Sequence, residues 1–453
     1  MRYYIPLVVI LWCTSWKTQA QERDMISLTA LYNAAMQYPD IKAREAAIAE
    51  TNVQYNLIQL ANLPRIDIQA QNTFGSAQRT GGAFFPLPGI FNISGTGTEA
   101  YATATNMVAS GTVQWNAIQF GKHRNRVKAS RIRKEQAITS MDLEKLSLKR
   151  KISRAYIDWL YYHNMKNWAA REIGRFSQLM DISRSLVRSG IAAAGDSLMV
   201  KASLQQAEAL KESWKGRIAS TSNTLTRFTG IPLQSVQQTT SRFFTTIGEN
   251  MWMDPIPENH PVVQLQQQEI AFTKKQKQIA GKNILPDISL LAGGQLRGVS
   301  FSDTAGGSWE DSYNMPVQNY LVGVGMTWNL NSVYTAPLEV RRYEEQINRY
   351  KAEEESINLG ILEDHESAQQ QLIHTAKQIR EAEQAYAAAK KAYQLYEVRY
   401  RNGIIDLTDL LQIQQTLQFT DKERITAYYQ YWQYVIRLAG ARADFSLLTR
   451  TFN

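Results

Sequence analysis

The feature that most constrains the fold is an internal duplication. Residues 188–205 align with residues 401–418, which lie 213 positions later, and seven of the eighteen aligned positions are identical. Self-similarity at a fixed offset indicates two copies of one structural unit. The identical pairs are Arg188 and Arg401, Gly190 and Gly403, Ile191 and Ile404, Asp196 and Asp409, Leu198 and Leu411, Leu204 and Leu417, and Gln205 and Gln418. The chain is therefore predicted to fold as a tandem duplication.

Each aligned stretch has the features of a helical hairpin tip. Before the second one, apolar residues recur at alternating spacings of three and four residues, which is the pattern of a left-handed coiled coil. These residues are Ile379, Ala382, Tyr386, Ala389, Tyr393, Tyr396 and Tyr400. Gly403 then suits the left-handed backbone conformation that ends a helix, and Asp406 and Asp409 suit the start of the next helix. The first copy has the same order, so we expect two such tips.

Four further segments alternate apolar and polar residues with the period of a β-strand. They lie at about residues 65–75, 106–116, 287–296 and 319–329. A long polar loop joins the first two strands. No proline occurs between Pro88 and Pro232, so a helix of about 65 residues, roughly 100 Å long, fits after the second strand.

Each copy is therefore predicted to contain, in order, a helix, two strands, a long helix and a shorter helix. This order predicts a mainly α fold with a smaller transmembrane β part. We assign the first copy to residues 21–230, a connecting segment to 231–258 and the second copy to 259–448.

The strands indicate a membrane protein that assembles from several chains. One face of each strand is apolar and the other polar, which suits a barrel with lipid outside and water inside. A closed membrane barrel needs at least eight strands, so a chain with four needs partners, and a trimer supplies twelve. Trp115 and Trp328, at equivalent strand ends, fit the aromatic zone of a membrane interface. The alternative is a soluble hairpin packed on helices, with both tryptophans in a core.

The first twenty residues have the pattern of a secretory leader. Arg2 precedes an apolar run, and small residues end at Ala20, so we expect cleavage near Ala20. The only cysteine, Cys13, follows Trp12, which argues against a lipoprotein cleavage site. We therefore expect a mature chain without a lipid anchor.

Composition favours a structural or transport protein over an enzyme. The net charge of +9 is interpreted as solvated helix faces and not as a nucleic-acid footprint. The five histidines have no metal-ligand spacing, and no nucleophile motif or phosphate-binding loop occurs. We predict no catalytic residues, no cofactor, no metal ion and no nucleic-acid partner.

The chain resembles the TolC family of bacterial outer-membrane efflux proteins. The resemblance rests on Leu-Pro before a strand in each copy, on Trp-Asn after the second strand, and on the tip glycine with aspartate six residues later. These motifs are Leu63-Pro64 and Leu285-Pro286, Trp115-Asn116 and Trp328-Asn329, and Gly190 with Asp196 and Gly403 with Asp409. They recur in the same order in both copies.

The resemblance implies a homotrimer in the bacterial outer membrane. Its twelve-stranded barrel would contact outer-membrane lipid and continue as a long periplasmic helical tunnel with coiled-coil tips. Such a protein is the passive exit duct of a tripartite efflux or type I secretion system. Its partners would be a periplasmic adaptor (membrane fusion) protein and an inner-membrane RND or ABC transporter. The alternative from another class is a non-conducting periplasmic or surface coiled-coil rod.

The resemblance also implies roles for residues at the tips. Tyr400 and Asp409 match family residues that help to close the tunnel, whereas Ile405 and Gln412 depart from the family pattern. Asp406 and Asp196 are further gate candidates, and all three aspartates also suit helix capping. The expected adaptor-docking residues are Arg188, Ser189, Gly190 and Ile191, and Arg401, Asn402, Gly403 and Ile404.

Overall fold

A computed structural model describes residues 27–76, 103–232, 240–248, 255–257, 259–302, 312–314 and 317–453. The predicted leader, nearly all of the polar loop after the first strand, and parts of the connecting segment lie outside these residues.

The elements follow the duplicated order that the sequence predicts. The first copy contains α1 (Leu28–Ala35), α2 (Pro39–Leu60), β1 (Arg65–Ser76), β2 (Thr103–Ile118), α3 (Lys122–Arg188) and α4 (Ala194–Thr229). The second contains α5 (Pro261–Lys282), β3 (Asp287–Ser302), β4 (Val317–Thr327), α6 (Ser332–Arg401) and α7 (Leu407–Ala441). A short 3₁₀ helix (Thr240–Phe244) lies between the copies, and α8 (Ser446–Phe452) follows α7. The mainly α fold with a duplicated unit is confirmed.

Proline marks the same helix start in both copies. Pro39 opens α2 and Pro261 opens α5, 222 positions later. Proline fits the first turn of a helix because the backbone N–H that it lacks has no partner there. In the second copy His260 adds a cap, since its Nδ1 accepts a hydrogen bond of 3.3 Å from the amide of Val262.

The described residues divide into two compact units, each considered by itself. The helical unit falls within Met1–Pro39, Lys145–Pro257 and Ile361–Asn453. The sheet unit comprises Asp40–Glu144 and Glu258–Gly360. No helix in the described part of the chain is both long enough and apolar enough to span a membrane.

The sheet unit contains one antiparallel sheet in the order β1-β2-β3-β4. One side is apolar, with cross-strand rows such as Ile66, Val113, Ala292 and Val322. The other is polar, with rows such as Gln69, Ser110, Gln295 and Asn319. Only 5% of Gln295 is exposed, whereas 88% of Ile68 on the apolar side is exposed. This sheet therefore encloses its polar side and exposes its apolar side, the reverse of a soluble protein.

The helical unit has a core of its own, to which both α3 and α7 contribute. Trp432 is fully buried and its indole N–H donates to the carbonyl of Phe243 at 2.9 Å. The hydroxyl of Tyr431 accepts from the amide of Ile247 at 2.9 Å. Two buried aromatic side chains thus fix the segment around the 3₁₀ helix through its backbone.

Candidate functional site at the helical hairpin tips

The two hairpin tips have the same backbone geometry. After α3, the amide of Ile191 donates to the carbonyl of Leu186 at 3.0 Å, and the amide of Gly190 donates to that of Val187 at 3.1 Å. The second tip repeats both bonds at 2.9 Å each, Ile404 to Arg399 and Gly403 to Tyr400. This bonding pattern is the Schellman motif, which requires a left-handed residue after the helix. The tip glycines supply it, with φ of 76° at Gly190 and 67° at Gly403.

All the predicted docking residues lie at exposed positions. They are Arg188, Ser189, Gly190 and Ile191 in the first tip, and Arg401, Asn402, Gly403 and Ile404 in the second. The tips also approach each other, because a Cβ atom built on Gly403 would lie 3.5 Å from Cγ2 of Ile191. The same atom built on Gly190 meets nothing within 4 Å. Together the tips present two exposed isoleucines beside the two glycines, and the space next to Gly190 is open.

The gate candidate Tyr400 lies in a core that the two hairpins share. It is 2% exposed and belongs to a cluster that includes Met180, Val200 and Leu407. Burial raises the pKa of Tyr400, while Ser183 beside its hydroxyl opposes that rise. Within one chain this tyrosine therefore packs between helices, and its role in a gate stays a prediction.

The three aspartates lie at the starts of the helices that follow the tips. Asp406 occupies the N-cap position of α7, but its side chain makes no capping hydrogen bond. Asp409 is exposed in the first turn of α7, and Asp196 is half-buried in the first turn of α4. A carboxylate near a helix N-terminus is stabilised by the helix dipole. The carboxylates of Asp406 and Asp409 thus remain available to an ion or a partner.

A network of buried charges in the helical unit was not predicted from the sequence. Gln414 donates to the carboxylate of Glu172 at 2.6 Å, and Arg175 forms an ion pair with the same group. Asp421, also buried, accepts from Arg171 at 2.8 Å and from Arg424 at 3.0 Å. The sequence does contain one indication of this network, a charged residue on the apolar stripe of α3. Glu172 comes three residues after Ala169 and four before Phe176.

Glu172 should make the stability of the helical unit depend on pH. Burial raises its pKa above the ordinary 4.5, the guanidinium of Arg175 lowers it, and the carboxylate of Asp421 raises it. The folded state thus binds a proton more tightly than the unfolded state, so this contribution to stability increases as pH falls through the raised pKa towards 4.5. We expect Glu172→Gln to lose this part of the pH dependence, measured by denaturant unfolding at several pH values.

Glu208→Gln is the matched control, because Glu208 is exposed on α4. It should keep the pH dependence of the unsubstituted protein. If the Glu172→Gln variant also keeps it, the carboxylate of Glu172 does not titrate differently in the folded state.

The two predicted interface tryptophans make equivalent hydrogen bonds. The indole of Trp115 donates to the carbonyl of Asn62 at 2.7 Å, and that of Trp328 donates to the carbonyl of Ile284 at 3.0 Å. Each acceptor immediately precedes the Leu-Pro pair of its copy. Each tryptophan thus joins the end of a strand pair to the corner where that pair begins. Their location at a membrane interface stays a prediction.

Comparisons with known proteins agree with this architecture. Among solved structures, the outer membrane protein VceC from Vibrio cholerae is 14% identical, with a TM-score of 0.74, and the match covers 92% of this chain and 96% of that one. The Campylobacter jejuni CmeC outer membrane channel is 15% identical, with a TM-score of 0.73 and coverages of 98% and 94%. The open state of the Neisseria gonorrhoeae MtrE outer membrane channel is 14% identical, with a TM-score of 0.69 and coverages of 93% and 91%. These likenesses show a shared fold.

No curated protein sequence matches the chain. The family model described as outer membrane efflux protein, however, matches residues 30–231 and 252–442, which together make up most of the chain and include both copies. The family resemblance predicted from the sequence is confirmed: the chain belongs to the outer membrane efflux protein family.

Proposed function

We propose that the chain is the outer-membrane exit duct of a tripartite efflux or type I secretion system. Three chains form the duct, which conducts substrates passively. An inner-membrane RND or ABC transporter supplies the substrates through a periplasmic adaptor protein. The mature chain begins near Ala20, carries no lipid anchor, and consists of the two repeats assigned from the sequence and their connecting segment.

The reversed polarity of the sheet is the observation that carries this proposal. An apolar exposed side suits lipid, and a polar enclosed side suits a water-filled interior. Within the described chain β1 and β4 each pair on one side only, and such edges are stable when another strand covers them. If β1 of one chain pairs with β4 of the next chain, three sheets join into a twelve-stranded barrel. A non-conducting rod would have no use for an exposed apolar sheet face.

The tips support the proposed docking of the adaptor. Ile191 and Ile404 are exposed apolar side chains next to glycines, so a partner helix can approach the backbone closely. The relatives CmeC and MtrE are described as outer membrane channels, which agrees with a conducting function here.

Single-channel recording tests the duct and its gate together. We expect the purified trimer to conduct in planar bilayers with small, cation-selective openings. The double variant Asp406→Asn and Asp409→Asn should widen the openings or lower the cation-to-anion permeability ratio several-fold, because rings of carboxylates attract cations. Reversal potentials in a salt gradient measure this ratio.

Asp181→Asn is the control, since Asp181 is exposed on α3 before the tip; it should leave selectivity unchanged. If the trimer does not conduct, a deletion of residues 401–409 separates a sealed gate from a missing pore. A trimer that stays silent after this deletion would refute the duct.

A further inference from the structure

The positive charge of the chain is concentrated in two short segments and is not dispersed over its helices. Residues 122–134 contain seven Lys and Arg and no Asp or Glu, and residues 274–282 contain four and none. The rest of the chain has 39 basic residues, which is 50 less these 11, against all 41 acidic residues. The net charge of +9 therefore comes entirely from these two segments, which we call the basic collar.

The two parts of the collar are neighbours in the sheet unit. Lys282, near the end of α5, donates to the carbonyl of Phe120 at 2.5 Å, just before α3 begins. Further along, the guanidinium of Arg133 lies 3.6 Å from the ring centre of Phe272. The collar also adjoins the strands, since β2 ends at Ile118 and Lys122 forms an ion pair of 2.7 Å with Asp287, the first residue of β3.

In the described part of the chain, four collar cations have acidic partners, and Arg124 and Lys128 are among those that do not. The ion pairs are Lys122 with Asp287, Arg131 with Glu135, Arg133 with Glu269, and Lys277 with Glu344. Arg124 and Lys128 are exposed, and no carboxylate among the described residues pairs with either. With Arg131 they follow a spacing of four and then three residues, so all three lie on one face of α3.

This face points away from the contact of α3 with α5. Arg133 contacts α5 through Glu269, and Lys134 contacts α2 through Asn52 at 2.8 Å. At 100° per residue, Arg124 and Lys128 lie about 180° and about 140° from Arg133, but only about 80° and about 120° from Lys134, so they face away from α5 and lie to one side of the contact with α2. Their charges are therefore directed to the surroundings of the sheet unit.

The charge is not needed to build the helix. Cations at a helix N-terminus are disfavoured by the helix dipole, yet the first turn of α3 has no acidic residue. The second copy starts its long helix with only part of this charge, because the positions equivalent to Arg124, Lys128 and Arg131 are Pro337, Arg341 and Glu344. The complete stripe on α3 is thus a feature of the first copy and is not required to start a long helix.

We propose that the basic collar binds the phosphate groups of anionic phospholipids in the leaflet next to the strand ends. The inference rests on the proposed function, because the strands must cross the membrane. At a rise of 1.5 Å per residue, Arg124 and Lys128 lie roughly 3 and 9 Å along α3 from its first residue, distances comparable to the thickness of a headgroup layer, about 5 to 8 Å. Guanidinium and ammonium groups are suited to phosphate, and clusters of cations beside a membrane-spanning segment bind anionic lipid.

Native mass spectrometry of the purified trimer tests the collar, with phosphatidylglycerol and phosphatidylcholine added separately. We expect the protein to bind phosphatidylglycerol at least about tenfold more tightly than phosphatidylcholine. The double variant Arg124→Gln and Lys128→Gln should lose most of this preference. The control Lys351→Gln and Lys390→Gln removes the same charge from exposed positions far along α6 and should keep it.

Conductance recordings and competition by inorganic phosphate distinguish the possible outcomes. Conductance in pure phosphatidylcholine bilayers should be the same for all three proteins, which shows that the collar variant folds and assembles. A trimer that stays silent even after deletion of residues 401–409 refutes the duct and the inference together, whereas a conducting protein that binds both lipids equally refutes the inference alone. A lipid preference that survives in the collar variant, or is abolished by millimolar inorganic phosphate, also overturns the proposed lipid site.

Discussion

Efflux should be abolished, with trimers intact, when both tip glycines are replaced by aspartate. Gly190 and Gly403 have positive φ, so any side chain with a Cβ is strained there by about 1 to 2 kcal/mol per site. The strain remains local, because little or nothing surrounds either position. The added carboxylates would also stand beside the exposed Ile191 and Ile404, on the surface proposed for the adaptor. Drug susceptibility of cells that depend on this protein should then equal that of cells without it.

The matched control replaces the same two glycines by asparagine. Asparagine tolerates the left-handed conformation better than other residues with side chains, and it adds no charge. We expect this variant to retain most of its transport, with trimers checked on detergent gels for both variants. Unchanged efflux in the Gly190→Asp and Gly403→Asp variant would remove the tips from the docking surface.

The second large effect is expected in the core of the helical unit, where Trp432→Ala should destabilise the fold by about 3 to 5 kcal/mol. Trp432 is fully buried, and its ring lies 4.7 Å from that of Phe452 and 5.5 Å from that of Tyr431, measured between centroids. The substitution also removes the indole N–H that donates to the carbonyl of Phe243. This loss adds about 1 to 3 kcal/mol to the destabilisation if the carbonyl stays buried. Chemical unfolding followed by circular dichroism measures the loss.

Trp432→Phe separates the two contributions, because it keeps most of the ring packing and removes only the indole N–H. We expect a loss of about 1 to 3 kcal/mol for this variant. In both variants the segment around Phe243 should be cleaved faster by trypsin at Arg242, because its backbone is held by Trp432 and Tyr431. A Trp432→Ala variant within about 1 kcal/mol of the parent protein would show that the packing of Trp432 is not important to this core.

The order of elements could be predicted from the sequence because its signals are local and occur twice. Proline and glycine restrict the backbone in ways that depend little on the rest of the chain, so Pro39, Pro261, Gly190 and Gly403 mark boundaries in both copies. The period of apolar residues separates helices from strands for the same reason. Where a signal is weaker, at the strand ends, the structure extends β2 and β3 beyond the predicted segments.

The surroundings of individual side chains could not be predicted in this way. The buried pairs join residues far apart in sequence, such as Glu172 and Gln414, 242 positions apart. Tyr400 satisfies both the coiled-coil pattern and the family gate pattern, and only the packed hairpin shows that its ring is buried. For Trp115 the pattern indicated an amphipathic environment but not the carbonyl of Asn62 that its indole contacts.

The exposed apolar side of the sheet restricts how such a protein can be made. An unassembled chain with this sheet would expose an apolar surface and two unpaired strand edges to water. Both features favour aggregation. The helical unit has its own buried core and can fold first. In the proposed duct, lipid and two sister chains would cover the sheet, so it would need shielding from water until then. The proposed function thus orders biogenesis in time, with insertion after the folding of the helical unit.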